Sequence, residues 1–304
     1  MNKTDLIVIL GITATGKTKL AAHLAEKLDG EIISADSRQV YRGMDIGSGK
    51  DLNDFIVNGK SIPYHLIDIK NAGEEYNVFE FQKDFLAAFE DIKSRNKQAI
   101  LCGGTGLYLE AVLKGYRMLA IPENTELRNE LALRTNEELV EILKKYKQLH
   151  NTTDTEDKER LIKAIEIASF QQENEALISD FPTFNYHLFG IHFERPIIRE
   201  RITARLQQRL ENEEMIGEVE GLIKAGVPTE KLKFYGLEYK LITAYLLNEI
   251  SKDELFTQLN IAIHQFAKRQ ATWYRKMGKN GFKINWIDGN LSLDEKVNEV
   301  LDSL

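Results

Sequence analysis

The sequence predicts an α/β fold, a parallel sheet core carrying a helical insertion, and three observations lead there. Apolar, β-branched runs alternate with segments of helical period through the first 116 residues. Those runs are continuously apolar, as strands covered on both faces must be. From 117 to 185 only helical periodicity is left, until "HLFGIHF" at 187–193 returns the chain to a strand. A chain of 304 residues is long enough for such a core, 1–116 with 186–304, plus an inserted unit of 117–185.

The elements follow in order. "DLIVIL" (5–10) reads as a first strand, and Leu20, Leu24 and Leu28, four apart, place a helix after it. "GEIISA" (30–35) is a second strand ending at Asp36, "HLIDI" (65–69) is a candidate third, "FQKDFLAAFEDIKSRN" (81–96) is an amphipathic helix, and "QAILCGG" (98–104) is another buried strand. Past Pro122, "NTELRNELALRTNEELVEILKKYKQL" (124–149) and "KERLIKAIEIASFQQ" (158–172) are helical, and long helices are expected at 197–225, 237–248 and 252–277. No internal repeat or low-complexity linker interrupts this order.

Between first strand and first helix stands "GITATGKT": Gly11, Ile12, Thr13, Ala14, Thr15, Gly16, Lys17 and Thr18. Glycine, four residues, then Gly-Lys-Thr is the spacing of a phosphate-binding loop, and its strand–loop–helix setting makes the core P-loop NTPase-like. Backbone N–H groups and a helix N-terminus would face an anion, Lys17 would set a cation on its terminal phosphates, and Thr18 could ligate Mg2+. The loop names a di- or triphosphate, not a reaction. A small-molecule kinase or ATPase would use the same residues, with Asp68 of "HLIDI" as its metal-binding acid.

Composition narrows the classes further. One cysteine, Cys102, leaves no disulfide framework or Cys-rich zinc site. No window has the apolar length of a membrane span, and the N-terminal run continues into a motif and not into a cleavage site, so a cytoplasmic monomer is expected. The net charge of −7 argues at face value against a polyanionic partner, yet the bases are clustered. Arg195, Arg199, Arg201, Arg205 and Arg209 have only Glu200 among them, and Lys268 to Lys279 contains no acid.

Taken together, "GITATGKT", "ISADSRQVYRGMDIGSGK", "IPYHLIDI", "CGGTGLYLEAVL" and "AKRQATWYR" resemble the tRNA dimethylallyltransferase family, in that family's order and across nearly the whole chain. The resemblance implies transfer of a dimethylallyl group from dimethylallyl diphosphate to N6 of the adenosine beside the anticodon, with Mg2+. It moves the loop's expected ligand from ATP to an isoprenoid diphosphate. An adenylate isopentenyltransferase and a non-catalytic RNA-binding paralogue are the alternatives.

By the same resemblance Asp36 is the base that takes the proton of the weakly nucleophilic adenine amine, although a strand-end Asp also suits a helix cap or a metal. Arg205, in Arg-Ile-Thr-Ala-Arg (201–205), is the pyrophosphate arginine, and Thr105 in "GGTGLY" lies near the reacting groups. Spacing alone puts Arg201, Arg205 and Arg209 on one helical face, which a solvated charge stripe would do equally. The family's contacts with the tRNA anticodon stem-loop fall on Asp36, Ser37, Arg38, Gln39 and Thr105, on Arg128, Arg160 and Lys163, on Tyr235, Tyr239 and Lys240, and on Lys268, Arg269, Gln270, Trp273 and Arg275. Core packing explains Trp273 as well as base stacking does.

Three segments depart from the family pattern. Its Gly-Thr-Ala-Lys-Pro is Gly47-Ser48-Gly49-Lys50-Asp51 here, its Gly-Tyr-Lys-Glu is Glu238-Tyr239-Lys240-Leu241, and its Arg-Ala-Leu-Glu is Lys163-Ala164-Ile165-Glu166. These changes bear on the choice of RNA more than on the chemistry.

Overall fold

A computed structural model describes residues 4–146, 157–175, 180–212 and 214–304. The chain forms two compact units, one running to Lys114 and resuming at Thr183, the other spanning Gly115–Pro182.

In the larger unit the chain runs β1 (Leu6–Leu10), α1 (Lys17–Leu28), β2 (Gly30–Ser34), a short 3-10 turn (Leu52–Phe55), a hairpin of β3 (Ile56–Val57) and β4 (Lys60–Ser61), β5 (Tyr64–His65), α2 (Val78–Ser94), β6 (Gln98–Gly103) and α3 (Gly106–Leu113). The smaller unit holds α4 (Thr125–Ala132), α5 (Asn136–Tyr146) and α6 (Lys158–Glu173). The larger one then continues through β7 (Tyr186–His192), α7 (Arg195–Glu211), α8 (Met215–Lys224), α9 (Thr229–Phe234), α10 (Leu237–Leu246), α11 (Lys252–Lys279), β8 (Asn285–Asp288) and α12 (Leu293–Leu301).

The main sheet has six strands in the order β5-β2-β6-β1-β7-β8, every pair parallel. β1 is buried along its whole length because helices cover both faces, which is why Leu-Ile-Val-Ile-Leu could be apolar without alternation. α1 lays Leu20, Ala21, Leu24 and Ala25 into the cluster that holds Ile7, Ile9, Ile32 and Ile100. α2 starts at an Asn77–Glu80 capping box and stacks Phe81 on Tyr108 of α3, with ring centroids 4.1 Å apart. Leu10 pairs with Gly103 and Ser34 with Cys102, so β2, β6 and β1 end side by side on one edge. Ligands of open parallel sheets bind beyond such carboxyl ends.

Several expectations are corrected. "HLIDI" supplies only the two-residue β5, since Leu66 and Asp68 turn the backbone at φ 62° and 56°. The helix expected at 197–225 is two helices, with Glu214 at φ 55° starting the second and position 213 outside the described residues. The helical run from 124 breaks after Leu133, where Thr135 and Glu138 exchange capping bonds to begin α5, and 147–149 lie outside the described residues. α6 and these helices enclose Leu131, Leu139, Leu143, Leu161 and Ile165 as the smaller unit's own core. Edge strand β8 gave no signal, because four residues with polar ends carry too little pattern. Among the described residues no helix is long and apolar enough to cross a membrane.

One glycine fixes how closely β6 and β2 finish. A Cβ on Gly103 would collide with the Ala35 carbonyl, which also accepts the Thr105 N–H at 3.2 Å. Gly103→Ala is expected to destabilise the protein by about 1–3 kcal/mol. Urea unfolding should show this as a lower midpoint at unchanged slope, and an unaltered midpoint would mean that the Ala35 strand end yields freely.

Candidate active site

Beyond the ends of β1 and β2 opens a cavity of about 460 Å³. Its floor is the glycine loop. Ala14 and Gly16 adopt left-handed backbone (φ 64° and 80°), and the Thr15 hydroxyl donates back to the Ile12 carbonyl at 2.9 Å. Thr13, Ala14, Gly16, Lys17 and Thr18 line the cavity, while Gly11 and Thr15 are buried behind it. No side chain caps the N-terminus of α1 at Gly16, so its first-turn N–H groups and partial positive charge face the cavity. Burial pulls the Lys17 ammonium below its usual range, against the pull of Asp36 and with the push of Arg205 and Arg38. Such a lysine gains from an arriving anion.

The arginine stripe of α7 runs from an exposed Arg201 through a half-buried Arg205 to a buried Arg209 and is not a uniformly solvated face. Arg201, Arg205 and Arg209 all line the cavity, and Arg209 is only 8% exposed. Arg201 donates to the Ala14 carbonyl at 3.1 Å and lies over the Phe193 ring. Arg205 and Arg209 both reach Asp51, at 2.5 and 2.8 Å.

Opposite stands the segment after β2. Asp36 lines the cavity and accepts the Arg38 N–H through Oδ1 at 3.0 Å. Burial opposes the Arg38 charge, but Glu238, at 2.7 Å, and Asp36 hold its guanidinium above the usual range. Arg38 also lies over the Phe266 ring. Thr105 Oγ1 accepts the Ser37 N–H at 3.1 Å, which ties the β6 loop to the β2 loop. Gln39 accepts from Ser34 and donates to the Gly49 carbonyl, so its amide holds the 47–51 loop. Burial pushes the Cys102 thiol up to about 12, which keeps it an inert core residue.

That loop is fastened from outside the sheet. Glu218 of α8 accepts the N–H groups of Asp45, Ile46 and Gly47, and the Tyr239 hydroxyl donates to it at 2.8 Å. Lys50 is fully buried and donates to the Tyr41 carbonyl, Asp45 and Asp68. Asp68 is therefore the partner of a structural lysine and does not line the cavity.

The residues expected to meet RNA fall into two groups. Lys240, Lys268, Arg269 and Arg275 are exposed on α10 and α11. Tyr235, Tyr239 and Gln270 are buried and internally bonded. Tyr239 is completely enclosed, Tyr235 packs on Tyr41 and bonds to Gly73 and Glu74, and Trp273 packs its ring on Gly106. Gln270 accepts the Thr13 N–H and donates to the Gly104 carbonyl, both at 3.0 Å, while one helical turn on Tyr274 shares its hydroxyl between the carbonyls of Gly11 and Gly104. In the smaller unit Arg160 and Lys163 are exposed, and Arg128 forks onto Glu166 with a second bond to Glu123.

The family model described as IPP transferase matches residues 39–277, and the one described as isopentenyl transferase matches 4–65. The chain belongs to the IPP transferase family. It is a transferase with the family's P-loop NTPase-like core. It is similar to tRNA dimethylallyltransferase 2 of Phocaeicola vulgatus, 53% identical over 100% of this chain and 99% of that protein. Its identity with tRNA dimethylallyltransferase 1 of Parabacteroides distasonis is 54%, over 98% of this chain and 96% of the relative. Among solved structures, the tRNA isopentenylpyrophosphate transferase of Bacillus halodurans is 31% identical with a TM-score of 0.70, covering 99% of this chain and 95% of that one.

Within this family member, sequence reasoning left Arg201 and Arg209 open as a possible solvated stripe and gave no role to Glu218 or Phe266. The four-residue arginine spacing was the one signal available. Glu218 and Phe266 carry no motif and reach the site only through folding. For Gln270→Ala, loss of two buried bonds between the loops should cost about 1–3 kcal/mol. The cost should be present without RNA, with faster amide exchange at Thr13; a variant as stable as wild type with slow Thr13 exchange would remove Gln270 from this bridging role.

Proposed function

We propose that the chain transfers a dimethylallyl group from dimethylallyl diphosphate to N6 of the adenosine adjacent to the anticodon in tRNA, releasing diphosphate. The observation that carries this reading is the single cavity in which the glycine loop, Lys17 and the α7 arginines face the carboxylate of Asp36.

The loop N–H groups, Lys17 and Arg205 hold the diphosphate and stabilise the charge that grows on it as it leaves. The exocyclic nitrogen of adenine attacks C1 of the dimethylallyl group; the N6–C1 bond forms, the C1–O bond breaks, and Asp36 takes the proton from nitrogen. Thr105, bonded to Ser37, keeps that side of the cavity in place. Thr18 and Asp54, which both line the cavity, supply oxygen donors of the kind that suit magnesium. When bound, magnesium would neutralise diphosphate charge beside Thr18.

Adenine stacked in an anticodon loop cannot enter this cavity, so it must be flipped out of the loop. Lys240, Lys268, Arg269 and Arg275, with Arg160 and Lys163 of the smaller unit, are exposed cations available to RNA phosphates. Such work belongs in the cytoplasm, with one chain as the working unit.

Purified protein given dimethylallyl diphosphate and magnesium with either unmodified tRNA or AMP tests the reading. Mass analysis of digested nucleosides should reveal a prenylated adenosine from tRNA and none from AMP. Product from AMP alone would make the protein a nucleotide prenyltransferase, and no product from either would leave an RNA-binding relative.

A further inference from the structure

The pairing of Asp51 with the α7 arginines has no place in the reaction as described. Asp51 offers one carboxylate oxygen to Arg205 at 2.5 Å and the other to Arg209 at 2.8 Å. It precedes the 3-10 turn Leu52–Phe55, yet its side chain does not cap that turn. Two guanidiniums four residues apart repel each other, and a carboxylate bridging them offers two oxygens much as a phosphate does. The backbone beneath is fixed: Lys50 is anchored in the core, and Gly49, at φ 76°, packs directly under both guanidiniums. The carboxylate itself is 41% exposed and can turn out to solvent without disturbing that anchor.

Resting on the diphosphate reading of the cavity, we infer that Asp51 is a positioning residue that stands in for diphosphate on the Arg205–Arg209 pair. It keeps both arginines aimed into the cavity while the site is empty. An incoming diphosphate displaces it, and the displaced carboxylate, still on the same wall, weakens the hold on the departing product. Asp51 thus limits diphosphate affinity in favour of release.

Calorimetric titration of the full chain with inorganic diphosphate and magnesium tests this on wild type, Asp51→Asn and Asp51→Glu. Removing one like charge from the cavity should tighten diphosphate binding about tenfold in the Asn variant, while Glu stays near wild type. In turnover, Asn should lower kcat and KM together, as slower release requires and a merely loosened loop would not. Unchanged or weaker binding by Asn overturns the inference, weaker binding being the result expected of a magnesium ligand. Should Asn melt below the working temperature, Asp51→Pro serves the same comparison. Tighter binding by Asn with no prenylation of tRNA would overturn the proposed function and leave Asp51's role standing, whereas wild type that binds no diphosphate overturns both.

Discussion

Parallel strands that end side by side leave backbone groups beyond the last ladder bond, in a region too buried for water to satisfy them. At the ends of β1 and β6 these are the carbonyls of Gly11 and Gly104 and the N–H of Thr13, and α11 supplies their partners through Gln270 and Tyr274. The rest of the site depends on this clamp. With its back satisfied by side chains more than 250 residues away, the glycine loop can leave its front N–H groups unpaired toward the cavity. The same helix carries Phe266 to the cavity wall and holds the exposed basic run that starts at Lys268.

Charge is the second constraint. A cavity lined by Lys17, Arg38, Arg201, Arg205 and Arg209 would resist folding if left uncompensated, and the chain answers with internal acids. Glu238 holds Arg38, and Asp51 spans Arg205 and Arg209. Asp36 offsets part of the burial that lowers Lys17. Lys17, whose charge is disfavoured by burial, sits at the helix N-terminus where diphosphate is expected.

Much of this was legible in the sequence. The order of apolar runs gave the sheet, the glycine spacing gave the loop, and Asp36 and Thr105 were marked as residues just past strand ends. What stayed hidden depends on distance in sequence. Tyr239 sits in a motif-bearing stretch rich in aromatics, yet its ring is enclosed and its hydroxyl serves Glu218, because burial is set by packing and not by local pattern. Gln270, placed among RNA-facing residues by its neighbours, turns inward, since a helix presents every fourth residue to the same side. Arg209 could not be told from a surface charge until Asp51 was found opposite it.

The central claim is a division of labour: the β1 loop and α7 hold diphosphate, and Asp36 at the end of β2 moves a proton. Measuring diphosphate affinity and the single-turnover rate of prenyl transfer together in Asp36→Ala tests it most directly. Affinity should remain within a few-fold of wild type while the rate falls by about 10²–10⁴. A rate close to wild type, or a rate loss matched by an equal loss of diphosphate affinity, would contradict the account.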